Sequence, residues 1–196
     1  MGVFITFLLV IVGISVAIKV IIEAQSAKES ARLRKLMLLR TKVFVDKVME
    51  EKRLRPVAVQ NLGLRDQEKP YWTSSAKLVE TRAVRERGTS SQKWQEIDRG
   101  NLHVTNQRIV FAGLNQQRNL ELKKIVSFEP FARDSVKVAV DNRQKAMIFE
   151  LDDPGIMTVI VKICMNATEL DALETDKMDF KYLTTDFGEP PDVGLL

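Results

Sequence analysis

The chain of 196 residues has one cysteine and one histidine, Cys164 and His103. A lone cysteine excludes an intramolecular disulfide, and a lone histidine leaves no Cys/His set to hold zinc. An all-carboxylate cation site is not excluded on that ground. Nine glycines are scattered, and none falls in Gly-x-Gly-x-x-Gly or Walker spacing, so a phosphate-cradling glycine loop is missing. Redox compartment is left open by a single thiol and has to come from topology.

Charge is missing from one stretch altogether. Residues 2–18 hold no Asp, Glu, Lys or Arg, and Val20-Ile21-Ile22 extends the apolar run past Lys19. About 20 apolar residues in a helix cross a bilayer core, and Lys19 at the end can snorkel its charge outward. The expectation is a transmembrane anchor over residues 1–22. A cleaved signal peptide fits less well, because no basic region precedes the run and Ala24-x-Ser26 is a poor cleavage signal. Met1-Gly2-x-x-x-Thr6 also matches the short myristoylation pattern, which a spanning segment does not need.

The remaining charge is uneven. Residues 19–69 carry 13 Lys/Arg against 7 Asp/Glu, residues 70–168 carry 15 against 11, and residues 169–196 carry 2 against 8. The net +4 therefore hides a basic N-terminal part and an acidic tail. Lys19, Lys28, Arg32, Arg34 and Lys35 follow the apolar run closely. The positive-inside rule then places the N-terminus outside and the C-terminal bulk in the cytoplasm. These side chains suit acidic head groups, although topogenic charge and a packing stripe explain the stretch equally well.

Residues 23–55 lack glycine and proline, are rich in good helix formers, and end before Pro56. Leu36, Leu39, Val43, Phe44 and Val48 supply a helical stripe. Residues 56–75 read as a connector, with Tyr71-Trp72 expected in a core or lid. The strand series follows. Residues 76–87 form a first candidate, and residues 86–99, with Gly88-Thr89-Ser90-Ser91-Gln92, read as a flexible loop. Residues 119–128 form a later strand. Val136, Val138 and Val140 alternate with polar neighbours, and Met147, Phe149 and Leu151 share one face. Asp153 as N-cap and Pro154 in the first turn open a helix whose stripe is Ile156, Val159, Ile160, Ile163 and Ala167. The end of the acidic tail, residues 169–196, has the composition of disorder.

The chain is organised around residues 100–113, Gly-Asn-Leu-His-Val-Thr-Asn-Gln-Arg-Ile-Val-Phe-Ala-Gly. Two β-prone runs, 102–104 and 109–111, flank the turn material Thr105-Asn106-Gln107-Arg108. Gly100, Leu102, Thr105, Asn106, Arg108, Ile109, Val110 and Phe111 together resemble the central hairpin of GRAM-type and bacterial pleckstrin-homology-like (PH-like) domains. Glu68, residues 76–82 and residues 118–125 agree with that pattern, so the resemblance covers about residues 67–168. It implies a mainly β fold with helices: a PH-like β-barrel over 76–168, capped by a C-terminal helix and preceded by the anchor and juxtamembrane helix. It implies fold more strongly than ligand.

A catalytic constellation is not found. His103 sits within the hairpin as a cross-strand or surface residue, Asp152-Asp153 has an explanation as a helix cap, and Cys164 is a structural thiol. No enzyme activity, cofactor or metal is expected. The ligand candidates are basic: Arg85, Arg87, Lys93 and Arg99, with Arg82 on the opposite face. The resemblance implies an anionic head group in this loop region, bound by charge-assisted bonds, although solvated strand charge explains the same residues. The expected function is thus a membrane-anchored, non-catalytic binding module or adaptor for a protein or anionic lipid. The alternative is a structural protein that forms a homo-oligomer through its helices. No nucleic-acid partner is expected, because no groove-reading motif accompanies the basic charge.

Overall fold

The computed structural model describes residues 2–60, 62–86, 89–132, 134–141 and 145–175, with only the backbone described for 2–18, 20, 81–86, 89–93 and 132. The chain divides into two units, Met1–Leu39 and Arg40–Leu196. Helix α1 (Gly2–Glu51) makes up the first unit and opens the second. Among the described residues, no helix is long and apolar enough to cross a membrane. The side chains on which the anchor reading rests, those of residues 2–18 and 20, lie outside the described residues.

The helix ends at Glu51, short of the expected Pro56, because Lys52 turns left-handed at φ 49°. A left-handed residue after the last turn redirects the chain and stops the helical ladder. The buried face matches the expected stripe only in part. Val48 is buried and Phe44 packs against the core as expected, beside the buried Thr41 and Val45, whereas Leu36, Leu39 and Val43 are exposed. At 3.6 residues per turn, positions 41, 45 and 48 share a face, and only that side meets the sheet domain.

The second unit is a seven-stranded antiparallel sheet with the order β4-β3-β2-β1-β7-β6-β5. Its strands are β1 (Pro70–Glu86), β2 (Thr89–Thr105), β3 (Arg108–Gly113), β4 (Gln117–Glu121), β5 (Ile125–Ala132), β6 (Ser135–Val140) and β7 (Met147–Leu151). The 105–108 hairpin forms as expected, with Gly100 opposite Gly113 and Val104 opposite Ile109. Alternation then puts Leu102, Val104, Ile109, Phe111, Leu120, Val136, Val138 and Phe149 into one core. The Phe111 and Phe149 rings meet at 5.6 Å.

The sheet curls into a half-barrel. Trp94 on β2 and Phe131 on β5 are four strands apart in the sheet order, yet their ring centroids lie 5.4 Å apart. A bulge helps: Leu78 pairs with Asp98 and Val79 with Glu96, leaving Ile97 as the extra residue. Such an insertion sharpens local twist. Helix α2 (Pro154–Asn166) lays Met157, Val159, Ile160 and Ile163 into the core. Pro154 occupies the first turn as expected. Asp153 is at the N-cap position but makes no side-chain cap bond, and its carboxylate meets Arg40 instead at 3.4 Å.

Three sequence expectations are corrected here. The connector ends at residue 69, because Pro70, Tyr71 and Trp72 already belong to β1, the two aromatics being buried in the core. The expected strand over 119–128 is two strands separated by a 3-10 turn, Leu122–Lys124. Of the loop expected over 86–99, the described residues, 86 and 89–99, are strand: β1 and β2 stay paired out to Glu86 opposite Thr89. Threonine and serine suit a pleated ladder once a partner strand supplies it.

Residues beyond α2 return to the domain. The Leu54 amide bonds the Leu170 carbonyl at 2.8 Å, and the Leu173 amide bonds the Lys52 carbonyl at 2.7 Å. Leu173 is buried. A fragment starting at residue 57 would therefore lose Val45, Val48 and Leu54 from the core.

Candidate functional site

The hairpin turn is a clasp. Asn106 accepts the Lys69 amide on Oδ1 at 2.8 Å and donates from Nδ2 to the Gln67 carbonyl at 3.2 Å. Gln107 Nε2 donates to the Asp66 carbonyl at 3.0 Å. Inside this frame, Arg108 forks the Glu68 carboxylate, with Nε to Oε1 at 2.8 Å and Nη2 to Oε2 at 3.0 Å. Arg108 also donates to Asn119 Oδ1 and to the Gly63 carbonyl, each at 3.0 Å. Thr105 donates its hydroxyl to Glu68 Oε1 at 2.8 Å and accepts the amides of Gln107 and Arg108.

Burial alone would raise the Glu68 pKa, but the Arg108 bonds, the Arg65 amide and the Thr105 hydroxyl outweigh it and hold the carboxyl below its usual range. The Thr-Asn-x-Arg motif thus has a structural purpose. It pins residues 63–69 to the hairpin, and every polar group in it is directed at the protein itself.

A second carboxylate does the same for the next turn. Asp98 accepts the amides of Arg99, Asn115 and Gln116 at 2.8–3.1 Å. Burial opposes its ionisation, and these donors overcome it, lowering its pKa. Gly113 sits against Asp98 and has no room for a Cβ.

The sequence-predicted basic residues divide. Arg87 and the side chains of Arg85 and Lys93 lie outside the described residues; by register, Arg85 stands opposite Ser90 and Lys93 opposite Arg82. Arg99 stands opposite Lys77, eight positions along β1 from Arg85, a distance of roughly 26 Å at strand rise. Its guanidinium forks Glu96 at 3.2 Å. It also lines a cavity of about 280 Å³ together with Lys77, Asp134, Glu150 and Asp152, so carboxylates outnumber cations around it. On α1, Lys19 pairs with Glu23 at 3.8 Å, Lys28, Arg32 and Lys35 are exposed, and Arg34 is half-buried.

A second cavity, about 450 Å³, was not anticipated. It lies between the hairpin turn, the 3-10 turn and the end of α2, with Arg65, Lys123 and Glu121 among its polar lining and Leu122, Ile125 and Met165 among its apolar lining. Glu121 is met by Lys124 at 3.5 Å, Arg65 at 3.6 Å and Lys123 at 3.7 Å. Lys124 foremost lowers its pKa; burial opposes this, and Lys123 and Arg65 add to the lowering, which prevails. Sequence reading missed this group because Arg65 is far from residues 121–124 in the chain; the Lys123-Lys124 pair was the one local signal.

His103 is a cross-strand residue, as expected: it is paired with Thr73, with Nδ1 2.9 Å from the hydroxyl. Burial lowers its pKa and keeps it neutral. Cys164 also borders the 450 Å³ cavity, and burial pushes its thiol up to about 12. Native Cys164 is therefore expected to react with iodoacetamide at pH 8 about 100-fold more slowly than in the unfolded chain, once the greater reactivity of a more basic thiolate is included. Rates within tenfold of each other would mean that the helix end opens readily.

No family model and no curated protein matches the chain. Among solved structures, the C-terminal domain of an unknown protein from Leishmania infantum is similar over 52% of this chain and 88% of its own, at 10% identity and a TM-score of 0.38.

Proposed function

We propose that this chain is a membrane-anchored, non-catalytic binding module of PH-like fold that presents its sheet domain in the cytoplasm to a protein or anionic lipid. The observation that carries the reading is the architecture of the second unit: two antiparallel meanders, β1–β4 and β5–β7, joined through the β1–β7 pair and curled around a core that a C-terminal helix completes. The motif behind the PH-like resemblance occupies the turn that clasps residues 63–69 to this sheet. The uncharged run at 2–18 supports an anchor, and the basic residues after it support the orientation.

The test uses the full chain in cell membranes. Alkaline carbonate should leave it in the membrane pellet, and protease outside intact cells should spare the sheet domain. Release by carbonate would reject the anchor, and digestion would reject the orientation.

A second reading, assembly through α1, draws on Leu33, Leu36 and Leu39, which are exposed apolar residues on one helix. Lateral association would cover them. Cross-linking the full chain in membranes should then give a dimer that Leu36→Lys with Leu39→Lys abolishes, and a wholly monomeric product would reject it.

A further inference from the structure

We propose that the cavity bounded by Arg65, Lys123 and the end of α2 binds a ligand with one phosphate or carboxylate head and an apolar body. This deepens the binding-module reading and rests on it, but places the ligand away from the β1–β2 hairpin.

The polar lining is unbalanced. Three cations converge on the single carboxylate of Glu121, at distances of 3.5, 3.6 and 3.7 Å. For Arg65 and Lys123 these exceed ordinary hydrogen-bond lengths, so both groups can turn to a second anion. Of the three, Arg65 and Lys123 line the cavity, and even with the half charge at the C-terminal end of α2 counted against them a net positive charge remains beside Glu121. Arg65 and Lys123, which line the cavity, are 47% and 79% exposed, which keeps them within reach of a ligand.

The rest of the lining includes an apolar set. Leu122 and Ile125 are buried, and Met165 is exposed. About 450 Å³ falls within the range of small-ligand sites, which combine apolar walls with a few placed polar groups. The walls are also held in place. The Arg65 amide is fixed by Glu68 at 2.7 Å, the Leu122 amide by the Gln107 carbonyl at 3.0 Å, and the Lys124 carbonyl by the Asp141 amide at 2.8 Å. A rigid frame lowers the ordering cost of binding. Inorganic phosphate would use only the cations, and an alcohol only the apolar lining.

The experiment titrates the full chain in non-ionic micelles and follows phosphorus linewidths, with protein-free micelles as the blank. The probes are inorganic phosphate, hexyl phosphate and dihexanoyl phosphatidate. Hexyl phosphate should bind at least tenfold more tightly than inorganic phosphate. Arg65→Gln with Lys123→Gln should weaken it at least tenfold, as should Met165→Asp, which places a negative charge in the lining. Tighter binding of the phosphatidate than of hexyl phosphate would support a lipid source, and the reverse a small phosphate ester.

Equal binding of hexyl and inorganic phosphate would overturn the proposal, as would wild-type affinity in both variants. Loss of binding in Arg85→Gln, Arg87→Gln, Lys93→Gln instead would overturn the cavity while keeping the module reading. No binding of any probe would overturn the cavity too, leaving the carbonate and protease tests to judge the module separately.

Discussion

Arg108→Ala is expected to lower the unfolding free energy by about 3–5 kcal/mol, the usual cost of stranding one member of a buried ion pair. The Glu68 side chain is 0% exposed and that of Arg108 8% exposed, so water cannot replace the missing guanidinium. The substitution also leaves the Asn119 amide oxygen and the Gly63 carbonyl without their donor. Domains of this size are stable by about 5–15 kcal/mol, so the variant would be marginal at body temperature. Urea unfolding of the full chain measures the loss. Glu68→Gln with Arg108→Met removes both charges and should cost less than Arg108→Ala alone. A loss below about 1 kcal/mol in the single variant would show that the pair is solvated and weak.

The same pair sets an acid response. Its folded-state carboxyl titrates below the ordinary range, so its stabilisation is fully present above the unfolded value, about 4.3 for a glutamate. That contribution is lost as pH falls from there through the lowered folded value. Between those limits, stability should fall more steeply with acid in the wild-type chain than in Glu68→Gln. Parallel slopes would mean that Glu68 has the same proton affinity folded and unfolded.

What could be read from the sequence depended on how far apart the deciding groups were. The hairpin at 105–108 was legible because its turn residues and both β-prone runs are contiguous. The α2 stripe was legible for the same reason, since periodicity and Pro154 lie in one window. Residues 89–93 were misread because Thr-Ser-Ser-Gln is equally loop and strand material until a partner strand is present, and its partner is β1. The buried side of α1 was read only in part: Phe44 and Val48 were in the expected stripe, but Leu36, Leu39 and Val43 look as apolar as Val45, and the packing partner alone chooses between them.

The candidate site was harder still. Thr105, Asn106 and Arg108 were recognisable as a motif, but Glu68, which gives Arg108 its role, is 40 residues away. Nothing local pairs them. The cavity at Arg65 and Lys123 is likewise a product of folding, made by segments that meet only once the hairpin clasp has closed. By contrast Arg85, Arg87 and Lys93 stood out in the sequence because they are neighbours in it. Proximity along a chain marks a charge cluster and does not establish a binding site.

Gly100→Ala is expected to cost at least the ~3 kcal/mol at the upper end of ordinary overpacking. A Cβ at this position would fall on the Ala112 carbonyl oxygen and crowd the Gly113 Cα. Both obstacles are backbone of the paired strand, and β3 cannot retreat without giving up the Gly100–Gly113 register. Gly113→Ala meets a different obstacle, the Asp98 carboxylate and the Phe111 ring. Asp98 is held by three amides and Phe111 is fully buried, so that variant should also be strongly destabilised, though side chains yield more readily than a backbone. Gly63 is the control: its φ is +46°, but nothing lies within 4 Å of an added Cβ. Gly63→Ala should therefore cost only the left-handed penalty of about 1–2 kcal/mol. Urea midpoints should rank Gly100→Ala lowest, then Gly113→Ala, then Gly63→Ala. If Gly100→Ala is as stable as Gly63→Ala, the strands do not approach this closely in solution, and the hairpin is not the fixed frame on which the clasp and the cavity depend.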